Sequence, residues 1–175
     1  MIYHIDMAYH YDQRTFSVVA LVSVNANNHR DNLIKKGIII IDPLRKELLK
    51  EYDKMKLHAG VISLLLDNIE IIKKVIICPD ITPVDKVIGL ISEIHPNLVL
   101  GVFKPLTELR EEIGDKNYRS EADAFARNIR RNFRKKKNVH RTKRYFSTDN
   151  IKIISSKNSE DYKTLLERLN ALKEK

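Results

Sequence analysis

Apolar residues in this chain recur with two periods. Ile2–Tyr9 alternates every second position, with Tyr3, Ile5 and Met7 on one face and His4, Asp6 and Ala8 on the other. Phe16–Val24 is a second run of strand formers, and the short polar link His10–Thr15 predicts an antiparallel hairpin. After the polar stretch Asn25–Lys36, the wholly apolar Gly37–Ile41 predicts a third strand. Pro43 opens a helical stretch running to about Asn68, with Asp42 as its cap, and with Leu44, Leu48, Leu49, Tyr52, Met55 and Val61–Leu66 on the buried side. Gly60 is the point at which that stretch bends or splits. Lys74–Cys78 predicts a fourth, central strand, Pro83–Ile94 a helix capped by Thr82, Leu98–Phe103 a fifth strand and Leu106–Ile113 a short helix.

The helical period is cleanest over Ser120–Lys137. Ala122, Phe125, Ala126, Ile129 and Phe133 form a single stripe, Ser120 is the N-cap, and Asp123 sits in the first turn off the stripe. Arg127, Arg130 and Arg134 follow Asp123 at helical spacings along the same side. A carboxylate heading a basic ridge suits holding or cutting a polyanion; taken alone, the same pattern is a solvated helix with an acid at its start. Lys135–Phe146 is basic and tipped with aromatics. Ile151–Ile154 has the composition of a sixth, edge strand, and Ser159–Leu172 that of a helix docking on the core or on a second copy in a homodimer. The order β-β-β-α-β-α-β-α predicts an α/β fold. It is a mixed five-stranded sheet whose first three strands are antiparallel, with helices on both faces. This fold occupies residues 1–135, and residues 136–175 form a basic segment plus a C-terminal strand/helix extension.

Charge sharpens the picture because it is local. The chain of 175 residues is 43% hydrophobic and carries a net +9. Ten of its Lys and Arg fall between Arg127 and Arg144, where there is no acid, leaving 22 basic against 23 acidic residues elsewhere. The segment comprises Arg127, Arg130, Arg131, Arg134, Lys135, Lys136, Lys137, Arg141, Lys143 and Arg144, and points to nucleic acid as the partner. Cys78 is the only cysteine, which excludes an internal disulfide framework and a cysteine-built zinc site. No apolar run approaches a membrane span and no signal peptide is visible, so a cytoplasmic protein is expected.

Asp6 lies within a strand, where a charge needs a partner; Asp80 follows the fourth strand; Asp123 opens the ridge helix. With the fourth strand beside the first, the three converge on one edge, and Glu47, one turn into the first helix, is a candidate fourth. Such a cluster repels itself unless hard divalent cations, Mg²⁺ or Mn²⁺, neutralise it, and a pair of such ions can drive phosphodiester hydrolysis. Taken singly, each acid is an ordinary edge, turn or helix-start residue.

Four short stretches carry a resemblance. Ile2-Tyr-His-Ile-Asp6, Arg45-Lys-Glu-Leu48, Val75-Ile-Ile-Cys-Pro-Asp80 and Ala122-Asp-Ala-Phe-Ala-Arg127 together resemble the acid-bearing elements of the ribonuclease H-like superfamily, over roughly residues 2–135. The closest echo is type 1 ribonuclease H, and Asp6-Met-Ala-Tyr9 is also similar to the opening of endonuclease V; resolvases on that fold end in a comparable helix. The resemblance implies a metal-dependent endonuclease with the tetrad Asp6, Glu47, Asp80 and Asp123, using Mg²⁺ or Mn²⁺ on an RNA/DNA hybrid or structured DNA. The chain departs from the pattern at Met7, where the family has Gly, and no His occurs between His95 and His140. The alternative expectation is a nucleic-acid-binding protein that keeps the fold without catalysis.

Overall fold

Side-chain alternation along the strands decides which helices each face receives. The computed structural model describes residues 2–8, 16–24, 35–67, 74–78, 83–102, 104–136 and 150–173. Its strands are β1 (Ile2–Ala8), β2 (Phe16–Val24), β3 (Lys35–Ile41), β4 (Lys74–Ile77), β5 (Leu100–Val102) and β6 (Ile151–Ile154). Its helices are α1 (Leu44–Glu51), α2 (Lys54–Leu66), α3 (Val84–Ile94), α4 (Leu106–Ile113), α5 (Glu121–Lys136) and α6 (Glu160–Lys173).

The expected five-stranded sheet is corrected. Two parallel blocks, β5-β4-β1 with three strands and β3-β6 with two, flank β2, which runs antiparallel to β1 and to β3 in the order β5-β4-β1-β2-β3-β6. Parallel pairing therefore dominates at both ends. The cause of the sixth strand is local: Gly37 N–H donates to Asn150 O at 2.8 Å, and Ile151–Ile154 then runs alongside Gly37–Ile40. Ile151 and Ile154 are three apart and both buried, so β6 is covered on both faces. The expected boundary near residue 135 corresponds to no break in the sheet, because β6 and α6 complete it and its core.

One face carries α1, α2, α3 and α6. Tyr3, Ile5, Ile38, Ile40, Val75, Ile77 and Ile154 point into a common core with Leu48, Ile62, Val87, Ile91, Leu165 and Leu169. The other face carries α5, which lies across β1 and β2. Ala122, Ala126 and Ile129 are fully buried beneath it and Phe125 nearly so, with Lys35 Nζ of β3 5.8 Å from the Phe125 ring centre. Burying the Phe and Ile side chains contributes roughly 1.5–3 kcal/mol each.

The single long helix expected over 43–68 is also corrected. It breaks at Tyr52–Asp53, where Asp53 accepts from Lys56 N–H at 2.9 Å as the N-cap of α2, while Tyr52 turns into the extended region and donates to Asn170 of α6. Gly60 neither bends nor splits α2: a Cβ there would lie 2.9 Å from Leu169 Cδ2, so the glycine sets the close approach of α6. At α1 the cap is Pro43 rather than Asp42, with no side-chain capping bond. α3 likewise starts after Pro83 without a capping side chain, and the expected Thr82 lies outside the described residues.

Candidate functional site

The α5 face of β1 presents His4 and Asp6, because Tyr3 and Ile5 are committed to the opposite core. Asp6 is 7% exposed, an ionisable group held near the C-terminal end of a strand in mid-sheet. Beside it, Cys78 N–H donates to Ile5 O at 3.0 Å, and Cys78, just past β4, lines the same pocket as Asp6. α5 begins there as well. Ser120 Oγ accepts from Asp123 N–H at 3.0 Å, which fixes the first turn of the helix and with it the Asp123 side chain.

Asp6 and Asp123 line one pocket of about 70 Å³, together with Cys78, Lys104, Tyr118, Arg119 and Arg127 and the apolar side chains of Leu106 and Leu109. Three of the lining side chains are cationic and two anionic. Arg127 Nε donates to Asp123 Oδ1 at 2.7 Å, and Arg119 Nη1 stands 3.5 Å from Asp123 Oδ2, so one carboxylate is gripped from the turn before and the turn after. Lys104 approaches from the β5–α4 link and is paired with Glu112, which raises its pKa through a hydrogen bond and charge. His4, on the Asp6 face, is pushed down to about 4 by burial and is neutral at pH 7.

The other expected acids fare differently. Asp80 lies outside the described residues, two positions past Cys78 of the pocket wall. Glu47 is not brought to the pocket: it pairs with Lys157, beyond β6, and raises that lysine's pKa. β6 is three strand positions from β1, about 14 Å at ordinary strand spacing, and α1 covers the face opposite α5. Of the basic ridge, Arg127 and Arg131 are exposed, and Arg131 donates to Asn128 at 2.8 Å. Arg130 is half-buried. Arg134, Lys135 and Lys136 lie in the last turns of α5, whereas Lys137, Arg141, Lys143 and Arg144 lie outside the described residues.

Sequence reading missed Arg119, Lys104 and Tyr118. Arg119 had a usable signal, since it stands four residues before Asp123 as Arg127 stands four after. Lys104 had none, because only the path of β5 and α4 brings it across.

Among the described residues no group of three or more His, Cys, Asp or Glu gathers to hold a metal. Mg²⁺ commonly takes only one or two carboxylates from a protein and completes its shell with water and substrate phosphate. Asp6 and Asp123 supply that number of carboxylates to the pocket, but Arg119 and Arg127 already match the charge of Asp123. Among the described residues no helix is long and apolar enough to cross a membrane. No known family model, curated protein or solved structure matches this chain.

Proposed function

We propose that the protein is a metal-dependent nuclease that hydrolyses phosphodiester bonds of a nucleic acid, RNA/DNA hybrid or structured DNA, in the cytoplasm. The observation that supports it best is that Asp6 and Asp123, 117 positions apart in sequence, line one pocket whose other charged residues, Lys104, Arg119 and Arg127, are all cationic. Asp6 and Asp123 would hold Mg²⁺ or Mn²⁺, with Asp80 the expected third ligand. A cation bound there would supply an activated water and neutralise charge on the phosphate. The chain's own contribution is positional. Asp6 is fixed in the sheet, the Ser120 cap fixes Asp123, and the ridge of α5 leads away from the pocket along the path a polyanion would take. The four motif resemblances support the same assignment, and the single cysteine suits a reducing compartment.

The test is hydrolysis of hybrid, branched and single-stranded substrates with Mg²⁺ or Mn²⁺. Activity should vanish with a chelator, and Asp6→Asn should lower it by at least about 100-fold while the melting temperature stays close to wild type. Activity that survives both the chelator and the substitution rules the mechanism out. A second reading, binding without cleavage, is favoured by one observation: the Asp123 charge is already matched by Arg119 and Arg127. It predicts salt-sensitive nucleic-acid binding with no hydrolysis in any metal, unchanged by Asp6→Asn.

A further inference from the structure

Asp123 is doubly engaged by guanidinium groups, and a carboxylate so engaged offers a cation little. Those same arginines are exposed, with side-chain exposures of 45% for Arg119 and 50% for Arg127, and they line the pocket that holds Asp6. The planar fork of arginine matches phosphate as well as it matches carboxylate. Lys104 also lines the pocket, in a surface pair with Glu112 that water readily replaces. The pocket thus contains a full set of phosphate ligands, two of them bound to the residue that the cation needs.

Building on the nuclease reading, we propose that Arg119, Arg127 and Lys104 are the phosphate-binding groups of this pocket. We further propose that Arg119 and Arg127 pass from Asp123 to the phosphate when nucleic acid enters. The transfer frees the Asp123 oxygens and withdraws two positive charges from them, so phosphate and a divalent cation bind with positive coupling. Because coupling is reciprocal, the cation tightens phosphate binding by the same factor, on the order of ten-fold. Simple polyelectrolyte behaviour has the opposite sign, since added divalent cation competes for phosphates and weakens binding.

The experiment is a calorimetric Mn²⁺ titration of the full chain, alone and with a short oligothymidylate carrying uncleavable phosphorothioate linkages, corrected for Mn²⁺ taken up by the oligonucleotide. The wild type should bind Mn²⁺ on the order of ten-fold more tightly with the oligonucleotide present. Arg127→Gln should bind Mn²⁺ tightly without it and gain little from it. Lys86→Gln removes the same charge from α3 on the opposite face of the sheet, and should behave as the wild type. If Arg127→Gln and Lys86→Gln shift Mn²⁺ affinity equally, or if the wild type binds Mn²⁺ equally with and without oligonucleotide, the hand-over is overturned while the nuclease reading stands. If no Mn²⁺ binds under any condition, both fall together.

Discussion

His58 is an imidazole placed where a proton is unwelcome. It is 5% exposed on α2, and burial, followed by the charges of Lys54 and Arg45, pushes it down to about 4. His4 is also lowered to about 4 by burial, although it is less deeply covered. Unfolded, both would titrate near 6.5. Between about pH 6.5 and pH 4 the unfolded chain therefore binds protons that the folded chain refuses, and stability falls as pH drops through that window; below about 4 both states are protonated and the loss is complete. For His58 the upper bound is about 3 kcal/mol. Denaturant titrations at pH 7 and pH 4.5 should show this loss, and His58→Gln should reduce the pH dependence even if it lowers stability at pH 7. An unchanged pH slope in the variant would show that His58 titrates normally. At this scale the sequence was partly informative. It placed His4 on the Asp6 face by alternation alone, but it held no sign that His58 would be buried, because burial there is a matter of tertiary packing around α2.

The helices differ in how much of them was legible, and the difference is physical. α5 declares itself because its stripe, cap and ridge all lie within one continuous window, and Ser120 caps it through Asp123 N–H. The α1–α2 break was hidden because good helix formers continue across it, and the deciding residue, Asp53, is an N-cap inside that run. Gly60 was visible but misleading: its role is a helix–helix contact, not a bend. Leu169 and Leu165 lie 2.9 and 3.2 Å from where its Cβ would stand, and both are fully buried. Below this contact Ser63 meets His95 at 2.8 Å, and Arg168 of α6 bridges Ser63 and Asp67, which pins the same two helices in register. Gly60→Val must therefore displace α6 or force a strained rotamer. It should destabilise the fold by about 1–3 kcal/mol despite removing a helix glycine, whose replacement on an open surface gains up to about 1 kcal/mol. Chemical denaturation of the variant measures this directly, and a stabilised protein would mean that α6 does not press on α2.

For the molecule as a whole, the two faces of the sheet divide the labour. The α5 face holds Asp6, Asp123 and the start of the basic ridge, and the opposite face, with four helices, holds most of the core. The pocket was legible in the sequence as far as Asp6 and Asp123 because strand alternation and a helix start are local signals. Glu47 was misplaced because only tertiary packing reveals that it belongs to Lys157 at the far edge. The same lack of long-range information made residues beyond 135 look like an appendage. In the structure Ile151, Ile154, Tyr162, Leu165, Leu169 and Leu172 are all buried, at 6% exposure or less. Burial of such side chains contributes roughly 1.5–3 kcal/mol each, and losing even a few such contributions is large against the roughly 5–15 kcal/mol by which domains are stable. Ending the chain at residue 149 would strip β3 of its outer neighbour, expose the α2 surface around Gly60 and leave Asp67 without Arg168. The truncated chain should show no cooperative thermal transition and should lose the pocket, although no residue of the pocket is removed. Circular dichroism melts together with Mn²⁺ titration of the truncated chain test this. A sharp melt with metal affinity retained would show that the first 149 residues are a self-sufficient domain and that β6 and α6 are an addition to it. A chain that expresses but melts without cooperativity would place the last strand and helix among the elements that hold Asp6 and Asp123 together, through a sheet whose other face they complete.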